Sequence, residues 1–108
     1  MTDNYCVILN TCPDMSSAER IANVLVQRGF AACVNIVPGL KSIYTWKGNC
    51  ETADECLLMI KTTQAMYHQV EQTVSDLHPY ELPEVIAVPV EAGLTSYLRW
   101  ITQQSAGS

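Results

Sequence analysis

Apolar and polar positions recur along this chain with two periods, and the switches between them mark out its elements. Residues 5–11 form a nearly continuous apolar run ending in Asn10 and Thr11, the pattern of a central strand covered on both faces. Pro13 and Asp14 break it. Ser16 with Glu19 makes a capping-box pair, and Ala18, Ile21, Ala22 and Leu25 then recur at helical spacing until Gly29 stops the helix. A second strand runs from Ala32 to Val37, is interrupted by a Pro38-Gly39 bulge, and resumes from Leu40 to Trp46. Lys47-Gly48-Asn49 reads as a hairpin turn. The return strand is polar through Glu51, Thr52, Asp54 and Glu55 and apolar from Cys56 to Ile60. Thr63 is placed to cap a second helix with Met66, Val70, Val74 and Leu77 on one stripe and His68 off it. Val85 to Val90 forms the last full strand. Thr95 caps a short helix with Leu94, Tyr97, Leu98 and Ile101 on roughly one side, leaving Trp100 to pack elsewhere, and Gln103 to Ser108 reads as a frayed tail.

The order β-α-β-β-α-β plus a terminal helix predicts an α+β fold, a ferredoxin-like sandwich spanning residues 1–108 as one domain. Both main helices should lie on one face of an antiparallel sheet. The hairpin is too long for that core. From Ala32 to Trp46 at roughly 3.3 Å per residue a strand spans about 50 Å, whereas a domain of this length has a radius of gyration of about 13 Å. Its far half must project or bend sharply, yet it carries Leu40, Ile43, Tyr44 and Trp46. Apolar side chains on a projecting strand edge invite pairing with another chain, so an obligate oligomer is expected, with the hairpin arms packed on neighbours.

Composition narrows the function classes. Eleven acidic residues against six basic ones give a net charge of −5 with no basic run, which argues against nucleic acid as a partner. No apolar run approaches ~18 residues, so no membrane helix is expected, and the polar start Met1-Thr2-Asp3-Asn4 lacks the form of a secretory signal. Five cysteines, odd in number and without a C-x-x-C pair, suit reduced thiols in a cytoplasmic protein.

The chemistry concentrates in His78-Pro79-Tyr80-Glu81-Leu82-Pro83-Glu84. Each proline fixes its own φ and pushes the residue before it toward extended backbone, so this heptad should be a stiff loop. Several uses are open to it. Metal binding would draw on His78, Glu81 and Glu84 with Cys12 at the end of strand 1, imidazole and thiolate suiting copper or zinc. A non-enzymatic module could instead take a small molecule or protein in a cleft lined by Tyr80, Trp46 and Lys61, oriented by acidic residues such as Glu81. Phosphoryl chemistry is disfavoured, since the loop Thr11-Cys12-Pro13-Asp14-Met15 has an acid and neither Arg nor Gly. Cysteine nucleophilic catalysis is disfavoured too, because nothing basic flanks any of the five thiols. A plain helix-to-strand connector is the alternative to all of these.

Spaced motifs add a family likeness. Ala31-Ala32-Cys33-Val34-Asn35-Ile36, Pro38-Gly39, Ser42-Ile43-Tyr44, Trp46-Lys47-Gly48, Lys61-Thr62-Thr63, His78-Pro79-Tyr80, Pro83-Glu84, and Tyr97-Leu98 with Trp100 together resemble the CutA divalent-cation-tolerance family. The resemblance covers the chain from strand 1 to Trp100. It implies a ferredoxin-like subunit, an interlocked homotrimer and a role in tolerance to metal ions, chiefly copper among divalent cations; with the catalytic chemistries disfavoured above, the leading expectation is a non-catalytic protein that binds a divalent cation at its inter-subunit clefts. The family's proposed copper site combines a strand-1 cysteine with a histidine and a glutamate around the His-Pro-Tyr segment. Glu84 matches that glutamate and His78 the motif histidine, with Leu77 where some members carry a second histidine. Asn10 stands at the cysteine position, and Cys12, two residues on, shares its strand parity. The implied metal ligands are therefore His78, Glu84 and Cys12, and the implied inter-subunit cleft holds Trp46, Lys61, Tyr80 and Glu81. The alternative is a trimeric signalling or scaffold module whose clefts take a small molecule or a partner segment.

Overall fold

A computed structural model describes residues 4–107. Strands β1 (Tyr5–Cys12), β2 (Cys33–Trp46), β3 (Asn49–Thr63) and β4 (Ile86–Pro89) form one sheet in the order β2-β3-β1-β4, antiparallel at every pairing. Helix α1 (Met15–Gln27) follows β1, α2 (Tyr67–Leu77) follows β3, and α3 (Thr95–Gln104) closes the chain. This is the split βαβ arrangement expected from the sequence. No helix among the described residues is long and apolar enough to cross a membrane.

Strand parity decides what is buried. Cys6, Ile8 and Cys12 of β1 and Cys56, Leu58 and Ile60 of β3 point to one face, where Ala18, Ile21 and Leu25 of α1 and Val70 and Val74 of α2 complete the core. A large-to-small change in such a core costs roughly 2–5 kcal/mol. The opposite face is also apolar. Cross-strand partners share a face, so the register sets Val37 beside Leu57, Leu9 between Met59 and Ile86, and Val7 beside Val88. Among the described residues, only one end of this outer face is roofed. There α3 lies over Tyr5 and Lys61, through Thr102 on the Tyr5 hydroxyl and the Lys61 ammonium on the Tyr97 hydroxyl. Val37, Ile86 and Val88 remain 44%, 53% and 46% exposed.

Capping differs from expectation at three helix starts. Asp14, not Ser16, caps α1, its carboxylate accepting the Ser17 amide at 2.7 Å, and that bond holds the Asp14 carboxyl below the usual carboxylate range. A 3-10 turn (Gln64–Met66) intervenes after Thr63, so Met66 rather than Thr63 precedes α2. Leu94 precedes α3 without a side-chain cap. At the other end of α1, Gly29 and Phe30 donate to Val26 and Leu25 in a Schellman motif, as the glycine stop implies. As far as Gly107 the tail does not fray as expected: α3 runs to Gln104, Ser105 is buried, and the Gly107 amide donates to Gly29 at 2.9 Å, while Ser108 lies outside the described residues. Trp100 stacks on Tyr97, with ring centroids 5.5 Å apart.

The hairpin overhangs as its length requires. The longest dimension is 47 Å against 26 and 22 Å for the others. Its turn is tighter than expected. Only Lys47 and Gly48 are unpaired, both at positive φ (51° and 82°), which is a type I′ turn, and Asn49 already pairs with Trp46. Pro38 and Gly39 form the bulge. Val37 pairs with Leu57 but Leu40 with Glu55, so β2 carries one extra residue there. That insertion exchanges the faces of everything beyond it: Leu40, Ser42, Tyr44 and Trp46 share the outer face with Glu55, where an unbulged strand would have turned them away.

Gly39 sits at φ +80°, and a Cβ there would meet nothing within 4 Å. Gly39→Ala therefore tests backbone strain without crowding. Chemical denaturation should show a loss of about 1–2 kcal/mol, and an unchanged midpoint would remove Gly39 as the bulge's conformational pivot.

Candidate functional site

Pro79 forces His78 out of the helix, to φ −73° and ψ 138°, as the sequence implied. The His78 amide still donates to Val74 at 2.8 Å and ends α2, so the ring is fixed at the helix terminus. The side chain is buried, and both ring nitrogens are engaged. Nδ1 accepts the Tyr80 amide at 3.1 Å, so the ring proton is on Nε2, which donates to the Thr11 carbonyl at 2.7 Å. The imidazole thus ties the heptad to the end of β1, with the Tyr80 ring 4.8 Å away between centroids.

A second tie runs through Asn10. Its fully buried side chain donates from Nδ2 to the Glu84 carbonyl at 2.8 Å, and its Oδ1 accepts the Cys12 thiol at 3.3 Å. Asn10 and Cys12 do share one side of β1, as their parity required. Cys12 lies directly across from Cys56. Burial, and then the charges of Cys56, Asp14 and Glu55, push its thiol up to about 11. All five cysteines are free thiols.

Cys12, His78 and Glu84 are therefore brought around the end of β1 by hydrogen bonds made through Asn10 and Thr11. Their donor atoms do not converge. Among the described residues no three His, Cys, Asp or Glu side chains stand close enough to hold one metal ion. As the chain stands, the set fits a metal poorly. A metal on His78 displaces the Tyr80 amide or the Thr11 carbonyl, and one on Cys12 removes a proton that burial favours keeping. The Glu84 side chain is exposed and available.

The heptad and the hairpin face one another across a cleft of about 690 Å³. Trp46, Tyr80, Glu81 and Glu84 line it, together with Tyr44 and Glu55. Lys61 does not join them within one chain. It lies six residues along β3 from Glu55, roughly 20 Å away at 3.3 Å per residue, under α3 beside Tyr97. Glu55 is the group that sequence reasoning missed. It is only 7% exposed, and its Oε2 accepts the Tyr80 hydroxyl at 2.8 Å. Burial, then this bond to Glu55, raises the Tyr80 phenol above its ordinary range. In the sequence Glu55 is one of four polar residues among hairpin positions 51–55, and only contact with Tyr80, 25 residues on, sets it apart.

A family profile described as CutA1 divalent ion tolerance protein matches residues 6–104. The chain is 43% identical over 99 residues to the divalent-cation tolerance protein CutA of Thermus thermophilus, covering 92% of this chain and 96% of that one. It is 46% identical over 93 residues to protein CutA of Mus musculus, covering 86% of this chain but 52% of the mouse protein, so it spans about half that relative's length. The solved structure of the Thermus thermophilus divalent cation tolerance protein superposes with a TM-score of 0.92 at 42% identity, covering 94% of this chain and 98% of that one. That of CutA from Xylella fastidiosa gives 0.91 at 48% identity, covering 95% and 98%.

The Asn10 tie generates a prediction. Asn10→Ala leaves the Glu84 carbonyl without its donor and opens a small cavity, so unfolding free energy should fall by about 1–3 kcal/mol. Denaturant titration that places the variant level with the wild type would show that the heptad does not depend on Asn10.

Proposed function

The chain belongs to the CutA1 divalent ion tolerance family, and we propose that it is a cytoplasmic, non-catalytic homotrimer that takes a divalent cation, copper first, at its inter-subunit clefts. The ligands in this reading are Glu84 and His78, with Cys12 as the thiol on offer. What carries it is membership of a family named for divalent ion tolerance; Cys12, His78 and Glu84, whose donor atoms stand apart within one chain, are the candidate ligands set around the end of β1 by a loop held at both ends by Asn10 and His78. The uncovered apolar outer face and the overhanging hairpin, which stretches the chain to 47 Å in its longest dimension, support the trimer. The five free thiols support a reducing compartment.

Because His78 must give up a hydrogen bond to bind, its affinity for metal is reduced by the free energy of that bond, about 0.5–1.5 kcal/mol. Cys12 requires a proton to leave, so its contribution should grow with pH. A second reading is favoured by the cleft: a trimeric signalling or scaffold module that takes a small molecule between the hairpin and the heptad.

Calorimetric titration of the purified protein with Cu²⁺ and Zn²⁺ separates the two readings. The metal reading predicts tighter binding of Cu²⁺ than of Zn²⁺ and a loss of at least tenfold in each of His78→Ala and Glu84→Ala. Equal affinities in all three proteins would sink the site as drawn.

A further inference from the structure

Two thiols meet on the helix-covered side of the sheet. Of the five cysteines, only Cys12 and Cys56 are cross-strand partners; Cys6 stands opposite Thr62 and Pro89, Cys33 opposite Lys61 and Cys50 opposite Thr45. Cys12 and Cys56 both belong to the core between sheet and helices, so nothing that covers the outer face reaches them.

The β1–β3 ladder sets their separation. The Gln64 amide donates to the Asn4 carbonyl, which makes those two a hydrogen-bonded pair. Such pairs alternate along a ladder, and Cys12 lies an even number of residues from Asn4, so Cys12 and Cys56 form another. Opposed Cα atoms at such a pair are about 5.5 Å apart, inside the roughly 4.4–6.8 Å that a disulfide spans. Their Cβ atoms, however, stand about 5.5 Å apart where a disulfide needs about 3.8 Å. Closing the bond must draw the strands together. Cys12 is the last residue of β1, so the backbone there can yield where a mid-sheet position would not. A disulfide closed under strain is readily reduced, which makes it a reversible bond rather than a structural one.

The neighbours of these thiols are the groups that hold the heptad. On β1, the Thr11 carbonyl accepts the His78 ring, and Asn10 accepts the Cys12 thiol while donating to the Glu84 carbonyl. On β3, Glu55 accepts the Tyr80 hydroxyl. Drawing Cys12 and Cys56 together therefore moves all three anchors, and the oxidised sulfur has no proton to give Asn10.

We propose that Cys12 and Cys56 form a reversible disulfide that loosens the heptad from His78 to Glu84, a redox switch on the loop that borders the cleft. This goes beyond both readings of the cleft's ligand and depends on neither. The oxidant is hydrogen peroxide, small enough to reach Cys56, which is 7% exposed while Cys12 is fully buried. Peroxide takes two electrons from the Cys56 sulfur: an S–O bond forms, the O–O bond breaks, and the thiol proton leaves with the second oxygen as water. The Cys12 sulfur then displaces that hydroxyl, which departs with the Cys12 proton as a second water as the S–S bond forms. Burial pushes the Cys12 thiol up to about 11, which makes it the second to react.

The full chain is treated with hydrogen peroxide under native conditions, the remaining thiols are alkylated, and mass spectrometry with peptide mapping locates the bond. The expected product is a single chain lighter by two hydrogen atoms, with Cys12 joined to Cys56, and dithiothreitol should restore all five thiols. By hydrogen exchange, the Tyr80 amide, which donates to His78, should exchange roughly tenfold faster in the oxidised chain and at its original rate after reduction. Cys56→Ser treated in the same way should form no such bond and keep the slow Tyr80 exchange. Absence of the Cys12–Cys56 bond at peroxide levels that oxidise the exposed Cys50 would overturn the proposal. So would a bond that forms and leaves Tyr80 exchange unchanged. Since the oxidised and reduced forms are compared in the unaltered chain, the test stands even where Cys56→Ser fails to fold.

Discussion

Apolar side chains occupy both faces of this sheet, and helices roof only one of them completely. An antiparallel sheet that meets water on its second face alternates apolar with polar residues, but β1 and β3 put Val7, Leu9, Leu57 and Met59 where polar residues would stand. Helix α3 covers the Tyr5–Lys61 end and stops. Beyond it, Ile86 and Val88 on the edge strand and Val37 on β2 stay open. At roughly 25 cal/mol per Å² of apolar surface removed from water, covering such a face is worth several kcal/mol. The proposed trimer is the assembly that covers it, and the overhanging hairpin then has a neighbour to lie against.

The candidate site depends on the same hairpin. One inserted residue at Pro38-Gly39 reverses the faces of Leu40, Ser42, Tyr44 and Trp46, which brings two aromatics onto the side where Glu55 meets the heptad. The heptad is fixed independently. Its prolines stiffen it, His78 bonds it to Thr11, and Asn10 bonds its far end to β1. The cleft thus lies between two supports set by local backbone chemistry, so its geometry follows from Pro38, Gly39, Pro79 and Pro83 more than from the side chains that line it.

Much of the fold was legible because it rests on periodicity. The element order, the bulge, the overhang and the buried stripe of Val70 and Val74 follow from apolar spacing and from proline and glycine positions. Helix starts were less legible. Asp14, Ser16 and Thr63 are all competent caps, and which one serves depends on where the preceding strand releases the backbone. The site was legible as a place but not as chemistry. Pro79 announces a stiff loop carrying His78, yet nothing local shows that both ring nitrogens are taken by the backbone. Parity placed Cys12 beside Asn10 but could not show Asn10 accepting its thiol. Glu55 was hidden because its environment is made by Tyr80, from a different element, and because the bulge changes the face that alternation assigns to its neighbours on β2.

The central claim is that the outer face of the sheet is built to be covered by copies of the same chain. Sedimentation equilibrium measures this directly. The account predicts a single species at three times the 12.0 kDa chain mass, persisting at micromolar concentration. A stable monomer at that concentration, with Val37, Ile86 and Val88 in water, would contradict it.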